Sequence, residues 1–537
     1  MSGWFADRAP LFALAALIAL LFGTRSAIAQ PDPLERVARS LASARVEEAR
    51  ERFEELSPER ARSPRGRYLA GRLAFYEGRF DAALDELRAA IEGARAEASW
   101  RVLRDRVALT RETLADLERV AGPSGAFVYR HEAGADALLP EYAEQTLVAQ
   151  LEALVEVLGD RPRAPIEVDF LPDAEALAAC SGLTVEQIER TGTVAVSKYG
   201  RVMLLTPRAL AAGYPWLDTL AHELVHVMVT RVSADRAPIW LHEGLAKMLE
   251  RRWRGEAVGA LTPPEAYLLD RAARERRLIP LRRFHPSVAH LPNQEDAALA
   301  YAQVLSFLAY LDERLEEGWI RRLLEELAAG ASFEDGFAEV SRFALEKHFV
   351  WWRQSVSGTR QTPVPAVALM ERRYRLGAAA DRGPEEAALD LEVRRHLRIG
   401  DLLRLRGHLA AAAIEFRRAQ SLADSPSPLI GDRLAGTLLE TGDHEAVAEV
   451  AGRIADLYPH HATALVQLGR ARFALGQLER AAAALERANG LNPFAPRVHC
   501  VLAEVYERLG RVERLEREQA GCRLLAAAEG RPPAAAP

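Results

Sequence analysis

Residues 216–250 read WLDTLAHELVHVMVTRVSADRAPIWLHEGLAKMLE. Leu217, Leu220, Leu224, Val227 and Met228 recur at the 3.6-residue spacing of a buried helix face. Pro215 precedes the run and Pro238 follows it, which predicts one helix bounded by the two prolines. On that helix His222 and His226 stand one turn apart on the same face, so both rings can reach one ion. Neutral imidazole is a good zinc ligand, and zinc with three protein ligands keeps a fourth position for water. Glu223 lies about 100° round the helix from His222, beside such an ion, where a carboxylate can take a proton from water.

The flanking sequence offers a candidate third ligand. After a polar break at Ser233–Arg236 a second helical run starts at Ile239, and Glu243 falls 17 residues after His226. A helix–turn–helix of that length can return a carboxylate to the ion. His222-Glu223-Leu224-Val225-His226 followed by Trp240-Leu241-His242-Glu243-Gly244-Leu245-Ala246 resembles the gluzincin metallopeptidases, and within them the bacterial peptidase MA-like domains. The resemblance implies one zinc ion held by His222, His226 and Glu243, with Glu223 as general base. It also implies that Glu250, seven residues after Glu243, supports a ligating histidine.

Further along, Tyr301 opens Tyr301-Ala302-Gln303-Val304-Leu305-Ser306-Phe307, which resembles the helix whose tyrosine donates to the oxyanion in aminopeptidase N relatives. A phenol stays neutral at pH 7 and donates, as that task requires. His242, His285 and His290 are other possible donors, and His242, in place of the usual asparagine, is expected to line the cleft. No G-x-M-E-N-type stretch precedes the metal helix, so the resemblance favours endopeptidase over aminopeptidase action. In such folds a sheet edge beside the cleft holds the substrate extended, and residues 201–206 are the candidate edge.

Residues 1–29 read as a secretory signal peptide: Arg8, an apolar run at Leu11–Phe22 and Ala27-Ile28-Ala29 before the cleavage point. The run is too short to span a bilayer comfortably, so no stable membrane span is expected after cleavage. The mature chain is expected in the periplasm or outside a bacterial cell. A net charge of −6 gives no electrostatic case for nucleic acid. The three cysteines, Cys180, Cys500 and Cys522, form no disulfide scaffold, though Cys500 and Cys522 could pair across one helical hairpin.

Residues 30–121 are expected to form a helical module with one clear tetratricopeptide-like hairpin around Gly71, Tyr76, Gly78 and Phe80. Residues 122–354 are the peptidase MA-like domain. Its predicted strands are 127–131, 166–170 (alternating, so half-buried) and a hairpin at 194–205; its predicted helices are 138–158 and 174–181. Residues 355–387 read as a linker and 525–537 as a disordered tail. Between them, in 388–524, Gly407, Gly442, Gly476 and Gly510 recur at 35, 34 and 34 residues, the period of about four tetratricopeptide repeats. The expected fold class is an α+β zincin-like catalytic domain, a small mixed sheet plus helices, flanked by all-α superhelical repeat segments.

Together these features predict an exported zinc metallopeptidase whose substrate is a peptide or protein, with a protein partner or substrate in the repeat groove. The rival expectation is a non-catalytic zinc-binding scaffold of the cell envelope.

Overall fold

The structure, a computed structural model, describes residues 32–528 apart from 94–96, 212, 256–258, 284–293, 357–385 and 387–388. The expected signal peptide, most of the expected linker and the far end of the expected tail lie outside the described residues. So do His285 and His290. Among the described residues no helix is long and apolar enough to cross a membrane.

The N-terminal helices are α1 (Pro33–Ala42), α2 (Val46–Glu54), α3 (Pro58–Arg62), α4 (Pro64–Tyr76), α5 (Phe80–Glu92) and α6 (Ala98–Thr113). The α4–α5 pair is the hairpin expected from sequence. A Cβ on Gly71 would lie 2.7 Å from the Leu87 side chain, so glycine there lets the two helices close.

A five-stranded sheet follows, in the order β1-β2-β3-β5-β4. The strands are β1 (Glu118–Ala121), β2 (Phe127–His131), β3 (Ile166–Leu171), β4 (Ala195–Lys198) and β5 (Arg201–Leu205). The three central strands run parallel, and β1 and β4 flank them antiparallel, making the sheet mixed. Helices α7 (Leu139–Leu158), α8 (Ala174–Ser181) and α9 (Val185–Thr191) lie between strands. Strand β1 begins before the boundary expected at residue 122, yet it pairs with β2.

Two expectations about the strands are corrected. The segment 201–206 is not an edge, because β5 lies between β3 and β4; the edge strand on that side is β4. Strand β3 is not half-buried but wholly buried. Its alternation is real, but Glu167 and Asp169 face the α4–α5 turn. There Asp169 pairs with Arg130 and Arg201, each at 2.9 Å. Arg201 also donates to the Phe75 carbonyl at 3.2 Å, and its guanidinium lies over the Phe80 ring. Charges sunk this deep must be paired, since an unpaired one costs several kcal/mol, on the order of 3–5.

Helices α10 (Trp216–Ser233), which carries His222 and His226, and α11 (Ile239–Leu249) come next, then α12 (Pro263–Arg274), α13 (Gln294–Asp312), α14 (Trp319–Ala329), α15 (Phe333–Ser341) and α16 (Leu345–Ser355). The repeats form four helical hairpins: α17 (Leu391–Leu405) with α18 (Leu409–Leu422), α19 (Pro428–Thr441) with α20 (His444–Leu457), α21 (Ala462–Ala474) with α22 (Leu478–Asn489), and α23 (Pro496–Leu509) with α24 (Val512–Ala528). The four periodic glycines sit in the turns of these hairpins, at φ between 68° and 79°, which an L side chain adopts only at a cost. Cys500 and Cys522 are joined in a disulfide across the last hairpin, while Cys180 is buried and free.

Both helical modules dock on α10. At its N-terminal end Trp216 Nε1 donates to the Asn489 carbonyl at 2.9 Å, and Tyr214 N donates to the Leu491 carbonyl at 3.0 Å. Next to these, Tyr142 donates to Glu518 at 2.8 Å, and Arg517 donates to Gln145 at 2.6 Å. At the C-terminal end Arg231 pairs with Glu47 at 2.7 Å and Asp160 at 2.9 Å, and donates to the Ala44 carbonyl at 3.0 Å. The β4–β5 turn, Tyr199-Gly200, is held too: Tyr199 packs on Phe75 with ring centroids 5.0 Å apart.

Gly213 carries a φ of 71°, and a Cβ there would lie 2.3 Å from the Leu491 carbonyl oxygen. Gly213→Ala is expected to cost about 1–2 kcal/mol through its left-handed backbone alone. It should lower the thermal midpoint and increase proteolytic nicking between domain and repeats. A wild-type midpoint with wild-type nicking would count against this docking.

Candidate metal centre

Helix α10 turns His222 and His226 toward α11 because its opposite face is apolar: Leu217, Leu220, Leu224, Val225 and Met228 are buried. It ends abruptly, with Ala234 and Asp235 both left-handed at φ 53° and 59°, so the chain reverses and α11 starts after Pro238. Trp240 anchors α11 against Phe307 and Phe333, at centroid distances of 6.5 and 5.5 Å. At Gly244 a Cβ would lie 2.3 Å from the Val304 side chain. Glycine therefore lets α11 close on α13, which carries Tyr301 one turn before Val304.

These packings bring the three candidate ligands together. Among the described residues, His222, His226 and Glu243 form the one group of three or more His, Cys, Asp or Glu whose donor atoms all lie within 4.8 Å of one another. His222 Nε2 is 3.2 Å from His226 Nε2 and 3.6 Å from Glu243 Oε2, and His226 Nε2 is 3.8 Å from Glu243 Oε2. A tetrahedral zinc with bonds of about 2.0–2.1 Å separates its ligand atoms by about 3.3 Å. The donor set and its spacing fit a zinc ion.

The structure also brings Glu250, Tyr301 and His242 to this centre. His222 Nδ1 is 3.0 Å from Glu250 Oε2, the carboxylate–histidine arrangement that fixes a ligand ring. The Tyr301 hydroxyl hydrogen-bonds Glu243, so Tyr301 stands at the centre. His242 lies beside His226, with ring centroids 5.7 Å apart.

Sequence reasoning missed Ser197. Leu205 N donates to the Val194 carbonyl at 2.8 Å, which sets the β4 alternation so that Ser197 turns its N–H away from β5. Its Oγ and that N–H hydrogen-bond the Glu223 carboxylate. A serine in an apolar–polar strand carries no mark of this role; only the fold supplies it.

Electrostatics divide the centre. Burial alone would lower His222, but the carboxylates of Glu243 and Glu250, which accept from its ring nitrogens, outweigh it and hold the ring's pKa at about 10. Burial, aided by the neighbouring His222 charge, takes His226 down to about 4. Burial raises Glu223 to about 7. Glu243 drops to about 2: burial opposes this, and the His226 and His222 rings with the Tyr301 hydroxyl prevail. Without metal, these shifts favour a charged His222 ring between the two carboxylates and a neutral His226.

A Peptidase MA superfamily model matches residues 143–358, and a tetratricopeptide repeat model matches residues 438–505. A Peptidase MA superfamily domain and a repeat region are thus both present, and the first contains every candidate site residue. No curated protein matches the chain significantly. Similar solved structures include MamA from AMB-1, 23% identical, covering 26% of this chain and 81% of that one, with a TM-score of 0.23. MamA residues 41 to the end from Desulfovibrio magneticus RS-1 is 20% identical, covering 26% and 77%, with a TM-score of 0.24. The first tetratricopeptide domain of Spaghetti (RPAP3), solved with the HSP90 peptide SRMEEVD, is 20% identical, covering 23% and 97%, with a TM-score of 0.22.

The raised His222 value has a sign that can be tested. Its ion pairs stabilise the metal-free fold fully below about pH 6.5, its unfolded value, and that contribution is lost as pH rises through about 10. In metal-stripped protein, NMR titration of the histidine rings should find His222 protonated and His226 neutral at pH 7.5. Glu250→Gln should lower the His222 value by about 1–3 units.

Proposed function

We propose that the chain is an exported zinc-dependent metallopeptidase, acting as an endopeptidase on peptide or protein substrates. The observation that carries this reading is the convergence of His222, His226 and Glu243 at zinc-ligand spacing with Glu223 on the same helix. The Peptidase MA superfamily match over the same residues supports it.

Bound there, zinc would supply a Lewis acid that polarises the scissile carbonyl and acidifies a water. His222, His226 and Glu243 would hold it, and Glu250 keeps His222 in the required tautomer. Glu223, with its pKa near 7, is matched to take a proton from the attacking water and deliver it to the leaving amine at neutral pH. Ser197 holds that carboxylate in place. Tyr301, now paired with Glu243, would donate to the developing oxyanion. Edge strand β4 borders the centre and can align an extended peptide beside it, apart from the Ser197 amide already held by Glu223. The repeats present a peptide- or protein-binding surface fixed relative to the cleft by the Trp216–Asn489 junction.

The test is cleavage of a mixed peptide library by residues 30–537 with zinc, beside Glu223→Gln. Wild type should cut at internal bonds, and Glu223→Gln should keep its zinc and lose about 10²–10⁴ in kcat. Tyr301→Phe should lose about 10²–10³ in kcat with KM little changed. If wild type binds zinc and cleaves nothing, the protein is the zinc-binding scaffold instead.

A further inference from the structure

Lys247 sits on α11 four residues after Glu243 and three before Glu250. Its side chain is turned inward and only 19% exposed. The Nζ donates to Glu250 Oε1 at 2.8 Å and lies 3.5 Å from Glu265 Oε1. The remaining oxygens of both carboxylates are also engaged. Glu250 Oε2 faces His222 Nδ1 at 3.0 Å. Glu265 Oε2 accepts from the Thr262 N–H and hydroxyl, both at 2.8 Å, in the capping box that opens α12. A continuous chain therefore runs His222, Glu250, Lys247, Glu265, Thr262, from a candidate ligand to the start of another helix.

The geometry of this chain differs from that of a surface ion pair. With both oxygens held, the Glu250 carboxylate cannot rotate, and neither can the ring it orients. An exposed Lys–Glu pair at three-residue spacing contributes a few tenths of a kcal/mol, about 0.2–0.5, and positions nothing. Here the lysine separates two largely buried carboxylates, and removing it leaves them facing each other. Without the lysine hydrogen bond Glu250 Oε1 is free to swing, and that movement releases His222. Arg251, 3.9 Å from Glu250 Oε1, is too far to replace the lysine hydrogen bond.

We propose that Lys247 is a positioning residue of the metal centre, which fixes His222 through Glu250 and is itself anchored by Glu265. This rests on the metal-centre reading above. Helix α12 also touches the repeats, since Tyr267 packs on Ile454, Tyr458 and Ala464. The far end of the chain is thereby tied to the second and third hairpins of the array.

The test is zinc affinity, measured by chelator competition on the full chain well below the metal-free unfolding temperature. It compares wild type with Lys247→Met, Glu250→Gln, the double variant and Glu265→Gln. Lys247→Met should weaken zinc binding about 10–100-fold. The double variant should bind no more weakly than Glu250→Gln alone, because Lys247 acts only through Glu250. Glu265→Gln should weaken binding several-fold, and it carries the test if Lys247→Met does not fold. Lys247→Met binding zinc like wild type overturns the inference, whatever its melting temperature. Losses that add in the double variant overturn it as well. Wild-type protein that binds no zinc overturns the metal-centre reading instead.

Discussion

The Arg231 guanidinium, buried between Glu47, Asp160 and the Ala44 carbonyl, is the contact on which the alignment of the centre most depends. A helix that supplies two ligands from one face must be fixed in rotation and along its axis. Apolar packing is non-directional and does this poorly. Arg231 pins the C-terminal end of α10, and the Asn489 and Leu491 carbonyls pin the N-terminal end. Of these partners only Asp160 falls within residues 143–358, the span of the peptidase-like match; Glu47, Ala44, Asn489 and Leu491 lie outside it. The two helical modules are therefore part of the frame that holds the centre, whatever else they bind.

Close packing at small residues does the remaining alignment. Gly244 lets α11 approach α13 and brings Tyr301 to Glu243. Gly71 lets α4 and α5 close into the hairpin whose turn covers Asp169 and Arg201. In each case the missing Cβ sets a distance that no polar contact could recover.

Much of this was legible in the sequence, and the reason is locality. His222 and His226 share one helix face, so helical spacing alone brings them together, and Glu243 on the next helix was added by the resemblance to the gluzincin pattern. The 34-residue glycine period and the β4–β5 hairpin are likewise local signals. What escaped depends on distant partners. Glu167 and Asp169 read as the solvent face of a strand, because nothing nearby announces that Arg130, Arg201 and the Phe75 carbonyl will cover them. The edge strand was misplaced for a similar reason: β5 joins β3 in parallel, a pairing that hairpin logic does not reveal. Lys247 was within reach, since its spacing from Glu250 is helical, but its link to Glu265 crosses to another helix.

The junction at Trp216 also bears on when the centre matures. Trp216 and Asn489 are 273 residues apart, and Tyr142 and Glu518 are 376 apart. Contacts of such high sequence separation form late and slowly. A chain made N-terminus first exposes His222, Glu223, His226 and Glu243 long before Asn489 exists to receive the tryptophan. The helix bearing two of the candidate ligands gains its second anchor only once the third repeat hairpin has been made, so its final alignment waits for 273 further residues.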